Sequence, residues 1–227
     1  MKTALITGAN RGLGLEFARQ LKAQDYYVIG CCRSPEKASE LKSIVDEVLP
    51  LDVTNDSEIQ ELLNSIKDKP IDLLVLNAGI IGETAVTLGN IKRDNFLNVL
   101  NVNCISVVKL SDALLNNIAA SQDKNILVIS SRIGSIADNM RGRTLAYRTS
   151  KAALNCAMRC FAIDAAPLGI HVMLIHPGWV KTHLGGPDAL IDAKTSVAGM
   201  LDEMQKHIAH SHADKLHRFD GGEIIPW

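Results

Sequence analysis

Two kinds of segment alternate along this chain, and that alternation constrains the fold more than any other feature. Short, continuous apolar runs recur as "TALIT" (3–7), "YYVIGC" (26–31), "VLPL" (48–51), "DLLVL" (72–76), "NILVIS" (125–130) and "HVMLI" (171–175). Longer stretches with helical spacing of apolar positions lie between them, among them "GLGLEFARQLKAQ", "SPEKASELKSIV" and "DSEIQELLNSIKD". An apolar run without alternation suits a strand covered on both faces, and strand–helix alternation requires right-handed crossovers and a parallel sheet. The expected fold is α/β, a doubly wound parallel sheet (Rossmann fold), as a single domain over 1–227. Ser34 and Pro35 read as a helix start, a capping hydroxyl followed by proline at the first helical position.

Charge bounds the partners. The 24 basic and 25 acidic residues nearly cancel, which argues against nucleic acid or an anionic membrane, since both need clustered positive charge. The apolar run in "MKTALITGANRGLG" is too short for a signal-peptide core, and no stretch approaches a membrane span. A cytoplasmic protein with no membrane partner is expected. The five cysteines, 31, 32, 104, 156 and 160, show no framework or metal-ligand spacing and read as reduced, packed thiols. His207, His210 and His212 cluster, but helical spacing puts only two on one face, so no metal is expected. Trp179 and Trp227 read as packing residues.

In doubly wound sheets ligands lie beyond the carboxyl ends of the strands. The first run leads into "TGANRGLG", where Gly8, Gly12 and Gly14 follow G-x-x-x-G-x-G and open a helix. Such a turn lets the backbone approach a pyrophosphate at a helix N-terminus; Asn10, Arg11 and Leu13 complete it. The second run ends at "CCRS", where an NAD site usually places an acid; Arg33 stands there instead. With Arg11 it would clamp a 2′-phosphate, so NADP(H) is the expected cofactor and NAD(H) the alternative. Asp52, followed by Val53, ends the third run in position for the adenine amine. The fourth ends at Asn77, Ala78 and Gly79, small enough at the last two positions to approach a ribose.

Together with Asn103, Ser131, Tyr147-x-x-x-Lys151 and Pro177-Gly178, this ordered set resembles the short-chain dehydrogenase/reductase family over nearly the whole chain. "SIADN" (135–139), "AYRTSKAALN" (146–155), "HPGWVKTHLGGPDA" (176–189) and "FDGGEIIPW" look most like the C-factor-like and sniffer-like carbonyl reductases. The usual Asn before Asn-Ala-Gly is Leu76 here, and Ser131 lies sixteen residues before Tyr147, an unusually long interval. The extra length falls in "DNMRGRT", which is expected to bulge toward the substrate mouth.

The resemblance implies hydride transfer between NADP(H) and a carbonyl or alcohol substrate, with Tyr147 as proton donor. A free phenol titrates near 10, and a cation one helical turn away lowers that value. Lys151 is therefore expected to tune Tyr147 and, by resemblance, to hold the nicotinamide ribose. Ser131, chosen over Ser130 by its Ser-x-x-Gly phrase, would donate to the substrate oxygen. Asn103, chosen over Asn101, would hold a water in the proton relay. Pro177, Gly178, the Val180 backbone and Thr182 would meet the nicotinamide, with His183 bordering a substrate-covering segment at about 183–200. The alternative reading is a nucleotide-binding signalling protein of C-factor type. Family members commonly pair through the helices carrying Asn103 and Tyr147, so a homo-oligomer, dimer or tetramer, is expected.

Overall fold

The computed structural model describes residues 1–84, 86 and 88–227. In chain order the strands are β1 (Thr3–Thr7), β2 (Tyr27–Cys32), β3 (Glu47–Pro50), β4 (Leu73–Leu76), β5 (Asn125–Ile129), β6 (His171–His176) and β7 (His212–Arg218). The helices are α1 (Gly12–Ala23), α2 (Ser39–Lys42), α3 (Asp56–Ile66), α4 (Arg93–Leu100), α5 (Ser106–Ala113), α6 (Leu115–Ala119), α7 (Leu145–Ala165) and α8 (Ala193–His207). All strand pairs are parallel, in the order β3-β2-β1-β4-β5-β6-β7. The order reverses between β1 and β4, which marks the crevice where such sheets bind ligands.

Strand side chains alternate between two cores. Leu5, Ile29, Cys31 and Leu74 join Ile59 and Leu62 of α3, Leu110 of α5 and Leu154 of α7 on one face. Ala4, Ile6, Val28, Cys32 and Val75 join Phe17 and Leu21 of α1 and Val197 and Met200 of α8 on the other. Both sides of every central strand are buried, which is why the runs carry no polar alternation.

Several local expectations are corrected. "SPEKASELKSIV" is not one helix; a 3-10 turn (Pro35–Lys37) precedes the four-residue α2, and the Ser34 side chain makes no cap bond. A seventh strand stands where the sequence pattern gives His212 a helical place. β7 buries Ala213, Leu216 and His217, a spacing of three and four that imitates a helix. The cause is a register shift opposite Val172–Leu174, where Ala213 takes φ +52°. His207 lies in α8 and His210 in a 3-10 turn, so the three histidines share no helix face. Cys31, Cys32 and Cys104 are packed, whereas Cys156 and Cys160 are exposed on α7. Trp179 and Trp227 are about half exposed rather than packed inside.

Candidate active site

The site is assembled where β1, β4, β5 and β6 end. Thr7 Oγ1 accepts from the backbone N–H groups of Asn77 and Ala78, both at 3.0 Å. Asn77 Nδ2 donates back to the carbonyls of Thr7 (2.9 Å) and Gly8 (3.2 Å). These bonds fasten β1 to β4 at the point of strand-order reversal and set the floor of the crevice.

Above that floor the Gly turn has one permitted shape. Gly8 and Gly12 have φ of +64° and +55°, where a side chain is strained. Gly14 is glycine because of contact: a Cβ there would stand 2.3 Å from the Gly8 carbonyl oxygen and 2.6 Å from Asn77 Nδ2. Helix α1 starts at Gly12 with no side-chain cap from Arg11 and no acidic residue in its first turn. Its N-terminal N–H groups and dipole therefore face the crevice without a protein anion, which suits a pyrophosphate. Arg11 and Arg33 are exposed at this end, and Asn10 is exposed between Gly8 and Gly12. Asp52 accepts from Thr54 N (2.9 Å) and Oγ1 (2.7 Å), and those bonds, with the charge of Arg33, hold its carboxyl below the usual range. Val53 packs half-buried against the core.

Thr182 reaches the turn from the far side. Its methyl would be 3.3 Å from a Cβ on Gly12. Pro177 is tied to α8 through Ser196 Oγ (2.6 Å), and Gly178 turns at φ +84°. Val180 then bridges Ile191. The segment 179–191 closes on itself through bonds from Lys181 N to Ile191 O (2.8 Å) and Gly186 N to Thr182 O (2.9 Å). The stretch 183–200 is thus two structures: an irregular loop, with His183 exposed, and the first half of α8, which packs Val197 and Met200 into the core.

Asn103 sits in a π-helical segment (Asn101–Ile105) between α4 and α5, a local widening that often marks functional sites. Its Nδ2 donates to Ile80 O (2.8 Å) and Ser150 Oγ (3.0 Å), while Oδ1 accepts from Ile80 N (2.8 Å). Both amide donors are used, so any water would meet only the remaining lone pair of Oδ1. Ser150, which is not among the expected site residues, continues this chain to the Tyr147 carbonyl (2.8 Å).

Helix α7 carries Tyr147 and Lys151 on one face, 8 % and 5 % exposed. The Ser131 hydroxyl accepts from Ile133 N at 3.4 Å and lies beside that of Tyr147. Lys151 Nζ lies 5.8 Å from the Tyr147 ring centre and donates to Ile129 O at 2.8 Å. The expected depression of the phenol is absent: burial pushes Tyr147 up to about 12, and the neighbouring Ser131 hydroxyl is what opposes it. Burial also pulls Lys151 down to about 8. The ammonium is turned toward the end of β5, and desolvation is the largest influence on both buried groups.

Close packing holds the Ser131 turn on α7. A Cβ on Gly134 would meet Lys151 Cβ at 2.7 Å, and Ser130 Oγ donates to Asn155 Oδ1 at 2.5 Å. Arg148 Nε and Nη1 donate to Gly142 O (2.7 Å) and Ile133 O (3.0 Å). Asn155 and Arg148 carry no motif of their own and were legible only as helix residues.

The family profile described as short chain dehydrogenase matches residues 2–189. The C-signal protein of Myxococcus xanthus is 35 % identical over 158 residues, 70 % of this chain and 93 % of that protein. Among solved structures, an NADPH-bound carbonyl reductase from chicken fatty liver superposes with a TM-score of 0.87 at 31 % identity, covering 100 % of this chain and 99 % of the other. Carbonyl reductase Sniffer of D. melanogaster does so with a TM-score of 0.85 at 30 % identity, covering 100 % of both chains. Profile, fold and relatives agree: this chain belongs to the short-chain dehydrogenase/reductase family of oxidoreductases.

Proposed function

We propose that this protein is an NADP(H)-dependent reductase of small carbonyl compounds, with alcohol oxidation as the reverse reaction. The observation that carries this reading is the buried Tyr147–Lys151 pair on one face of α7, with Ser131 beside it just past β5 and the Gly turn just past β1. The cradle suits the coenzyme: Gly8, Asn10, Arg11, Gly12, Leu13 and Gly14 at the pyrophosphate, Arg11 and Arg33 at the 2′-phosphate, and Asp52 and Val53 at adenine. Asn77, Ala78 and Gly79 would line the adenosine side of the crevice. Tyr147 and Lys151 would hold the nicotinamide ribose, and Pro177, Gly178, Val180 and Thr182 the carboxamide. NADPH in the chicken carbonyl reductase supports the same coenzyme here. The bound nicotinamide supplies the hydride.

The protein's part is the proton. A phenol pushed up to about 12 stays protonated at neutral pH, the form that carbonyl reduction consumes. Ser131 and Tyr147 both donate toward one oxygen as negative charge builds on it. When Tyr147 releases its proton, Lys151, with its ammonium 5.8 Å from the ring centre, is a cation placed beside the new phenolate.

The test is NADPH consumption across a panel of aldehydes, diketones, quinones and steroids, with Tyr147→Phe beside the wild type. The variant should bind NADPH normally and lose roughly 100-fold or more in turnover, the scale of a general acid. Undiminished turnover removes Tyr147 from the mechanism. The resemblance to C-signal favours a second reading, a nucleotide-binding signalling protein; a wild type that binds NADPH and reduces nothing in the panel would select it.

A further inference from the structure

The fifteen residues between Ser131 and Tyr147 have to hold two reacting hydroxyls in register, although the interval is long and its middle is exposed. Ile136 and Met140 project 77 % and 88 % into solvent. The last residues before α7 are strained: Gly142, Arg143 and Thr144 all take positive φ, +59°, +58° and +42°. Two of these three carry side chains, so a constraint from elsewhere must hold them there. Thr144 gives α7 no side-chain cap, and the first turn of α7 contains no acid.

Arg148 supplies that constraint. It occupies the first turn of α7, where the helix dipole disfavours a cation. Its guanidinium is satisfied by two carbonyls nine residues apart: Nε donates to Gly142 O at 2.7 Å and Nη1 to Ile133 O at 3.0 Å. Lys151 and Asn155, three and seven residues further on, grip Ile129 O and Ser130 Oγ. One stripe of α7 thus holds the entry to the Ser131 turn, and Arg148 reaches its far limb. A rigid planar fork can span two acceptors, whereas an ammonium offers a single point charge.

We propose that Arg148 is a positioning residue for carbonyl reduction, pinning the 133–142 segment to α7 so that the Ser131 and Tyr147 hydroxyls meet the substrate oxygen together. This rests on the reductase reading above. The segment joins Ser131 to Tyr147 and includes none of the residues proposed to hold the coenzyme, so its release should act on the substrate and leave the coenzyme alone.

The test uses the full chain as Arg148→Met, Arg148→Lys and Arg148→Ala. Expected for Met and Lys is a loss of ten-fold or more in kcat/KM for the carbonyl, with NADPH affinity within two-fold of wild type. Adding guanidinium at millimolar concentration should restore part of the Arg148→Ala rate and leave the wild type unchanged. A second readout needs no activity: trypsin should cut after Arg141 and Arg143 at least five-fold faster in Arg148→Met than in wild type, both being exposed. Near-wild-type kcat/KM, a matching loss of NADPH affinity, or unaltered proteolysis would each overturn the proposal. A wild type inactive on every carbonyl would overturn the reductase reading instead, and the proteolysis would still report on the clamp.

Discussion

Gly14→Ala is the sharpest perturbation of the cofactor cradle, because its effect follows from contact distances alone. The new methyl would stand 2.3 Å from Gly8 O, 2.6 Å from Asn77 Nδ2 and 2.9 Å from Gly8 C. Neither neighbour can yield freely, since Asn77 Nδ2 is bonded to the Gly8 and Thr7 carbonyls that join β1 to β4. Relief therefore lifts the start of α1 or breaks the Asn77 bonds. Overpacking of this kind costs about 3 kcal/mol, and a lost hydrogen bond adds about 1 kcal/mol. Replacing a helical glycine by alanine returns about 1 kcal/mol, leaving a net loss of about 3 kcal/mol. For a domain of this size that lowers Tm by about 6–12 °C. Gly186→Ala is the control: φ is +78° and nothing lies within 4 Å, so only the left-handed backbone is penalised, by about 1 kcal/mol. Thermal unfolding and NADPH titration of both variants decide the matter. Gly14→Ala should also lose at least ten-fold in NADPH affinity, and Gly186→Ala should keep it. If the two variants melt together, the close approach of α1 to the Gly8 turn is not what demands glycine.

Two other outcomes are expected. Burial lowers Lys151 to about 8 from the ordinary lysine value of 10.5, so between those pH values the native state has shed a proton that the unfolded state keeps, and stability rises with pH. Denaturant unfolding should place wild type about 2.5 kcal/mol better relative to Lys151→Met at pH 10 than at pH 7, Tyr147 being common to both; a difference independent of pH would contradict a buried Lys151. Arg33→Ser should raise KM for NADPH about 10- to 100-fold, the scale of one charge-assisted bond, and leave NADH unchanged. Equal effects on the two coenzymes would remove Arg33 from phosphate recognition.

The central strands were legible because each is covered on both faces and so reads as an unbroken apolar run; β1 spans Thr3–Thr7, the same residues as "TALIT". The motifs were legible because glycine at 8, 12 and 14 answers backbone and contact demands that no other residue meets. β7 was not, because its bulge at Ala213 gives a strand the burial spacing of a helix. Nor was α2, where four residues are too few for a period to register.

Sequence alone determined the fold class, the order of the strand ends and the side chains each brings to the crevice, since these depend on local periodicity and on residue type. Tertiary structure alone decided how those side chains face one another. It turned Lys151 toward Ile129, bonded Asn103 to Ile80 and let Arg148 reach two carbonyls across a long loop. Such contacts join residues up to 23 positions apart, and the cost of burying each group depends on its surroundings, which no spacing along the chain records.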